Sequence, residues 1–194
     1  MKLKKDISIV TNFNLMAQSL IAGILIGLGV IINAQTSPPI LGAFLFSFGL
    51  LTIIKLKLPL YTGKIGFLAP QLPSILFWNM IGIALTVLLY CYNNIEFWYT
   101  LTQLAEIKFA KTWFQMLISG IFCGALIHFA VKCKEWYITS LAVIIFILIG
   151  AEHCVADFPY LLTNLSFINC GKLGLVILGN SLGAIFIERM IEDE

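Results

Sequence analysis

The sequence predicts an all-α polytopic membrane protein of six transmembrane helices, arranged as an aquaporin-like inverted three-plus-three repeat with the second and fifth helices broken. Three observations carry this: an apolar composition, a set of spanning-length apolar stretches of which two are interrupted, and matching segments in the two halves. Hydrophobic residues make up 60% of the 194-residue chain and charged residues only 11%, with a mean hydropathy of +0.97. A soluble domain of this length has too much surface to carry so few charges, whereas a bilayer does not penalise apolar surface. The net charge is +2 and no basic stripe interleaves with aromatics, which argues against nucleic acid as a partner.

A helix crosses the hydrocarbon in roughly 20 apolar residues. Residues 15–33, 74–92, 113–131 and 173–187 qualify without interruption, the last being short. Residues 40–54 are apolar until Lys55, Lys57 and Pro59 intervene, and residues 137–151 are apolar until Glu152 and His153. The first apolar stretch is of spanning length and follows Lys2, Lys4 and Lys5, so it reads as a retained helix rather than a cleaved signal. Lysines Lys2, Lys4, Lys5, Lys132 and Lys134 and Arg189 fall on one side, with Lys55, Lys57 and Lys64 joining them. Lys108, Lys111 and Lys172 fall on the other. The bias toward positive inner loops places both termini in the cytoplasm, and the expected location is the inner (plasma) membrane of a bacterium.

One pore domain is expected over residues 1–194, with repeat halves of approximately 12–92 and 108–190. Leu20-Ile-Ala-Gly-Ile-Leu-Ile-Gly27 matches Leu117-Ile-Ser-Gly-Ile-Phe-Cys-Gly124, and Asn79-Met-Ile-Gly82 matches Asn180-Ser-Leu-Gly183. Three spans per half force the second copy to run opposite to the first, and broken helices at equivalent places point to a binding site or pathway between the halves.

Glu152-His153 is the sharpest chemical signal, because ionisable residues within a span are expensive and usually face a cavity or a partner. Imidazole also changes charge near neutral pH. A straight helix from Trp136 would carry His153 about 25 Å along at ~1.5 Å per residue, nearer the far face than the middle. Thr62-Gly63-Lys64 reads either as a segment folded into the pathway beside His153 or as an ordinary turn at the inner surface. Lys55 and Lys57 read as snorkelling side chains. Lys108 and Lys111 either draw anions or are simply solvated, and His128 reads as a packed histidine. The cysteines Cys91, Cys123, Cys133, Cys154 and Cys170 form no C-x-x-C pair and read as small apolar residues. No hydrolase, zincin or phosphate-loop motif is present, so neither enzymatic activity, nor a cofactor, nor a metal is expected.

These segments resemble the formate/nitrite transporter family over nearly the whole chain. Phe146-Ile-Leu-Ile-Gly150-Ala-Glu152-His153-Cys-Val-Ala156-Asp157 is similar to its broken fifth helix, written G-x-E-H-S-x-A-N. Leu60-Tyr61-Thr62-Gly63-Lys64 is similar to L-F-T-G-N of the second. Gly120-Ile121-Phe122-Cys123 and Gly179-Asn180-Ser-Leu-Gly183 are similar to elements of the fourth and sixth. The resemblance implies a homopentamer in the lipid bilayer with one pore per protomer, passing formate, nitrite, lactate or hydrosulfide. It implies His153 as the central pore histidine, Thr62 as its hydroxyl neighbour and Tyr61 as the aromatic beside it. Leu50 and Phe146 would be apolar constrictions and Lys108 the lysine before the fourth helix. Glu152 and Asn180 complete the expected pathway set.

Three positions depart from the family pattern: Gly124, Asp157 and Lys64 stand where it has asparagine. Losing an amide donor at Gly124 and adding charge at Asp157 and Lys64 keeps two alternatives open. One is a membrane accessory subunit without transport. The other is a neutral-solute channel of aquaporin type, although the paired Asn-Pro-Ala loops of that class are missing.

Overall fold

The computed structural model describes residues 2–192, with side chains described for 13–191. The side chains of Lys2, Lys4 and Lys5, which bear on orientation, lie outside the described residues. The described residues form helices and no strand: α1 (Lys2–Gln35), α2 (Pro39–Leu56), α3 (Tyr61–Lys64), α4 (Leu72–Asn93), α5 (Ile95–Phe109), α6 (Trp113–Cys133), α7 (Trp136–Leu148), α8 (Phe158–Thr163) and α9 (Phe167–Glu192). α1, α2, α4, α6 and α9 are each long and apolar enough to cross a membrane. α7 is shorter and also apolar, and α8 follows it after a non-helical break. The sixth span is longer than the hydropathy suggests, because α9 continues through Glu188.

The apolar composition is spent on the outside as well as the inside. Phe48, Leu89, Phe122 and Phe186 are all more than half exposed, which suits lipid or a neighbouring protomer rather than water. α5 fills the connection between the halves, where the hydropathy predicts no span. It buries Phe97, Leu101, Ala105 and Phe109, and so packs one face on the bundle.

Both breaks are made by the same backbone device. α2 ends where Lys57 turns left-handed (φ 58°), with Leu58 N–H bonded to Ile53 C=O and Lys57 N–H to Ile54 C=O. Pro59 then forbids resumption in register. α7 ends where Gly150 turns left-handed (φ 67°), with Ala151 N–H bonded to Phe146 C=O and Gly150 N–H to Ile147 C=O. Each is a Schellman closure, in which a left-handed residue satisfies the last carbonyls of a helix. The break after α7 therefore precedes Glu152-His153, and the straight-helix placement of His153 near the far face does not hold.

The halves pack as α1 on α4 and α6 on α9, with α2 against α7 between them. Glycines set the two crossings. A Cβ on Gly23 would overlap the Asn79 carbonyl, and one on Gly124 would overlap that of Asn180. Likewise Gly82 lies against the Leu20 carbonyl and Gly183 against that of Ile121. Gly23 is therefore equivalent to Gly124. The sequence match of Gly23 with Gly120 is displaced by one helical turn, since apolar helices with glycine every fourth residue align almost as well one turn out of register. Gly124 also acquires a reason: backbone contact at the crossing leaves no room for a side chain there.

Candidate functional site

A break inside a membrane span exposes backbone polar groups that hydrocarbon cannot satisfy. Here a buried asparagine at each break does so. Asn79 Oδ1 accepts from Tyr61 N–H at 2.8 Å, and its Nδ2 donates to the carbonyls of Ser19 (2.7 Å) and Pro59 (3.0 Å). Asn180 Oδ1 accepts from Cys154 N–H at 2.9 Å, and its Nδ2 donates to the carbonyls of Gly120 and Glu152, both at 2.8 Å. The two sets correspond atom for atom across the repeat. Asn180 is thus a backbone bracket behind the site, and Asn79 is its counterpart.

Held this way, the two re-entrant segments meet. Thr62, on the first turn of α3, and His153, between α7 and α8, are both buried, with Thr62 Oγ1 2.9 Å from His153 Nε2. Ala156 N–H donates to His153 Nδ1 at 3.2 Å. With Nδ1 accepting, a neutral imidazole carries its proton on Nε2, which then donates to Thr62 and leaves the Thr62 hydroxyl hydrogen free. Phe146 stacks on the imidazole at 6.1 Å between centroids and meets Phe46 edge-on at 5.9 Å. Tyr61 packs beside Thr62 and shares a 2.9 Å hydrogen bond with Ser181.

Two cavities approach this pair from opposite ends of the bundle. One, of about 440 Å³ on the α5 side, is lined by Phe146, His153, Glu152, Lys108, Lys111 and Asp157 among others. The other, of about 570 Å³, is lined by Leu50, Leu60, Gly63 and four lysines: Lys57, Lys64, Lys132 and Lys134. Leu50 is buried at the end of that second cavity, and Lys55 lies outside both linings.

The α5-side cavity holds an ion cluster. Lys108 bonds to Glu152 Oε2 and lies 3.0 Å from Asp157 Oδ1, with its ammonium 5.1 Å from the centroid of Tyr160. Lys111 reaches Glu152 Oε1 and the Gly150 carbonyl, both at 2.6 Å. Burial alone would push the Lys108 ammonium down. Asp157 and Glu152 more than reverse this, so its pKa lies above the ordinary lysine value and it is a permanent cation. Asp157, the added acid, and Lys111 enter the same cluster, which holds two carboxyl groups and two ammoniums.

Two further groups sit away from the pair. His128 is buried, 2.6 Å from Glu188, which Lys132 also reaches at 2.8 Å, so it is a packed histidine in an ion cluster of its own. Cys91, Cys123 and Cys154 are buried thiols. Among the described residues no three metal-ligating side chains converge. Sequence reasoning missed the Tyr160 ring under Lys108 and the Glu188 cluster. A glutamate four residues short of the end of an apolar helix was the available signal for the latter.

Comparison with solved structures decides the architecture. A chain described as an "FNT family ion channel" superposes with a TM-score of 0.82 over 96% of this chain and 92% of its own, at 20% identity. The fold is that of the FNT channels. A second structure, a "Pentameric formate channel with formate bound", matches with a TM-score of 0.63 over 93% of this chain and 92% of its own, at 16% identity. No protein-family model matches the chain, and neither does any curated protein. The similarity therefore lies in the three-dimensional arrangement of helices and breaks, and only weakly in the sequence.

Proposed function

We propose that the chain forms a transmembrane pathway for small monovalent weak-acid anions such as formate, nitrite, lactate or hydrosulfide, with one pathway per protomer of a homopentamer. The observation that carries this reading is the Thr62–His153 hydrogen bond, formed where the two broken helices meet between two cavities that open at opposite ends. The fold shared with a pentameric channel that holds formate supports both the substrate class and the assembly. The lysine-rich cavity is cytoplasmic by the positive-inside bias, and the α5-side cavity faces out.

The roles follow from chemistry. Lys108 and Lys111 gather the anion at the outer cavity, and Glu152 holds their ammoniums in place. Phe146 and Leu50 flank the middle as dry constrictions that strip hydrated ions. Between them the Thr62 hydroxyl, whose hydrogen is left free by the N–H it accepts from His153, offers a hydrogen bond that replaces lost water, with Tyr61 closing the wall beside it. The Lys57, Lys64, Lys132 and Lys134 side chains receive the anion on the inner side.

Uptake of each anion into proteoliposomes tests the reading, with His153→Phe as the decisive variant. Selective uptake should vanish in the variant while the assembly stays folded. A folded variant that transports as the wild type does would defeat the mechanism. Folded wild-type protein with no uptake of any of the four would defeat the reading and favour an accessory subunit.

A further inference from the structure

Asp157 lines the outer cavity, yet only half of its carboxyl group is accounted for. Oδ1 lies 3.0 Å from the Lys108 ammonium, while Oδ2 is buried with no hydrogen-bond partner. The groups facing it come from every neighbouring element. Lys108 comes from α5 and Tyr160 from α8, Cys123 from α6, and Glu152 and Cys154 from its own segment. His153 adjoins through its carbonyl, which accepts from Asp157 N–H at 2.8 Å. Both Glu152 oxygens are already taken by Lys108 and Lys111.

An ionised carboxylate oxygen buried without a donor carries a desolvation cost, which Lys108 at Oδ1 offsets only in part because it is shared with Glu152. A proton on Oδ2 removes the cost, and the adjoining Glu152 carboxylate is an acceptor for it. Two carboxyl groups in one buried site hold a proton between them more readily than either does alone. The asparagine that the family resemblance places here has no proton to give.

We propose that Asp157 is the proton carrier of this pathway, handing its proton to an anion drawn in by Lys108 and Lys111 so that the neutral acid, rather than the anion, crosses the constriction at Phe146. This rests on the anion-pathway reading above. Rotation of the carboxyl about its terminal torsion, which is soft, turns the O–H toward the cavity. The Asp157 O–H bond breaks and a bond from that hydrogen to the anion forms. The pair of electrons stays on Asp157, whose new charge is held by Lys108. Water in the outer cavity then returns a proton to Oδ2, so each cycle moves one anion and one proton together and no net charge.

The electrical neutrality of the cycle is what an experiment can read. A membrane potential of about 60 mV shifts the distribution of a lone monovalent anion about tenfold and that of an anion travelling with a proton not at all. Formate uptake is measured in proteoliposomes whose potential is set by a potassium gradient and an ionophore, with uptake by protein-free vesicles subtracted. Wild-type uptake should ignore the potential, and so should Asp157→Glu, which keeps a carboxyl group. Asp157→Asn should take up formate more slowly and become faster when the interior is positive. Wild-type uptake that follows the potential overturns the proposal and leaves the anion pathway standing, and so does a potential-independent Asp157→Asn. Where that variant does not assemble, the wild-type and Asp157→Glu measurements decide alone. No uptake by folded wild type overturns the pathway reading, and this proposal with it.

Discussion

Replacing Asn180 by leucine isolates what the buried brackets contribute. Leucine branches at the same carbon as asparagine and is larger, so the substitution removes three hydrogen bonds and opens no cavity. The three are not equal. Gly120 lies within α6, and its carbonyl keeps a helical partner, so losing the side-chain donor there costs little. Cys154 N–H and Glu152 C=O lie in the break between α7 and α8 and lose their bonds to this side chain. A buried backbone group left unsatisfied costs about 1–3 kcal/mol, so the pair costs about 2–6 kcal/mol. For a chain of this size that corresponds to a fall in melting temperature on the order of 10 °C. The equivalence of the halves makes a second, stricter demand. Asn79→Leu orphans Tyr61 N–H and the Pro59 carbonyl in the same way, so it should cost the same within about 1 kcal/mol. Thermal unfolding of the detergent-solubilised protein, followed by exposure of the buried cysteines to a thiol dye, measures both. An Asn180→Leu protein that melts with the wild type would refute the bracket argument. Large but very unequal losses would refute the equivalence.

Three other outcomes follow from the geometry. Gly183→Ala drives a Cβ into the Ile121 carbonyl and should abolish folded protein, whereas Gly174→Ala meets nothing within 4 Å and should be neutral or stabilising; size-exclusion profiles of the two separate crossing glycines from incidental ones. Lys57 holds a left-handed conformation at the end of α2, so Lys57→Gly should raise stability by about 1 kcal/mol in the same melt, while lowering anion uptake if the lysine serves the inner cavity. Lys108→Met leaves the buried Glu152 carboxylate with one ammonium, Lys111, in place of two and should cost about 3 kcal/mol, most of it recovered by Lys108→Arg. Because the folded pKa of Lys108 is raised, its contribution to stability is complete below about pH 10 and is lost only as pH rises through the folded value. Melts of the wild type should show no step from this group across the neutral range.

The breaks were legible because their causes are local. Pro59 bars a helix by dihedral restriction and lysines flank it, and the fifth span is interrupted in the sequence by Glu152-His153, although the left-handed turn that ends α7 comes earlier, at Gly150. The four uninterrupted spans were legible for the same reason, since length and hydropathy need no tertiary information. What lies beyond local rules was less so. The meeting of Thr62 with His153 joins residues on two different re-entrant segments; the residues alone leave it as one of two readings of Thr62-Gly63-Lys64, and resemblance to a family favours it. Straight-helix arithmetic from Trp136 to His153 fails because it runs through Gly150, at which the helix has already ended. The repeat was visible but out of register by one turn, because backbone contact at Gly124 is invisible to a comparison of side chains. α5 escaped because an amphipathic helix on a bundle surface has no spanning hydropathy, and with it went the partnership of Lys108 and Lys111 with Glu152.

The repeat duplicates a scaffold and leaves the chemistry single. Asn79 and Asn180 hold equivalent backbone atoms, and Lys57 and Gly150 end equivalent helices, so the segments they control can be aligned residue by residue. In that alignment Leu60 stands where His153 stands, and Lys64 stands where Asp157 stands. One break supplies an imidazole and a carboxyl, and the other supplies a leucine and an ammonium. α5 adds Lys108 and Lys111 to one cavity only, with Glu152 and Asp157 to answer them, while the opposite cavity is lined by lysines without an acid among its lining residues. A symmetric backbone thus carries an imidazole, carboxyl groups and ammoniums at one end and lysines at the other, where Glu188 stands behind Lys132. On the proposed reading, an acid that enters neutral from the first end meets ammoniums at the second, where the ionised form is the better bound. The polarity which that proposal needs resides in side chains at equivalent positions of an otherwise matched pair of broken helices.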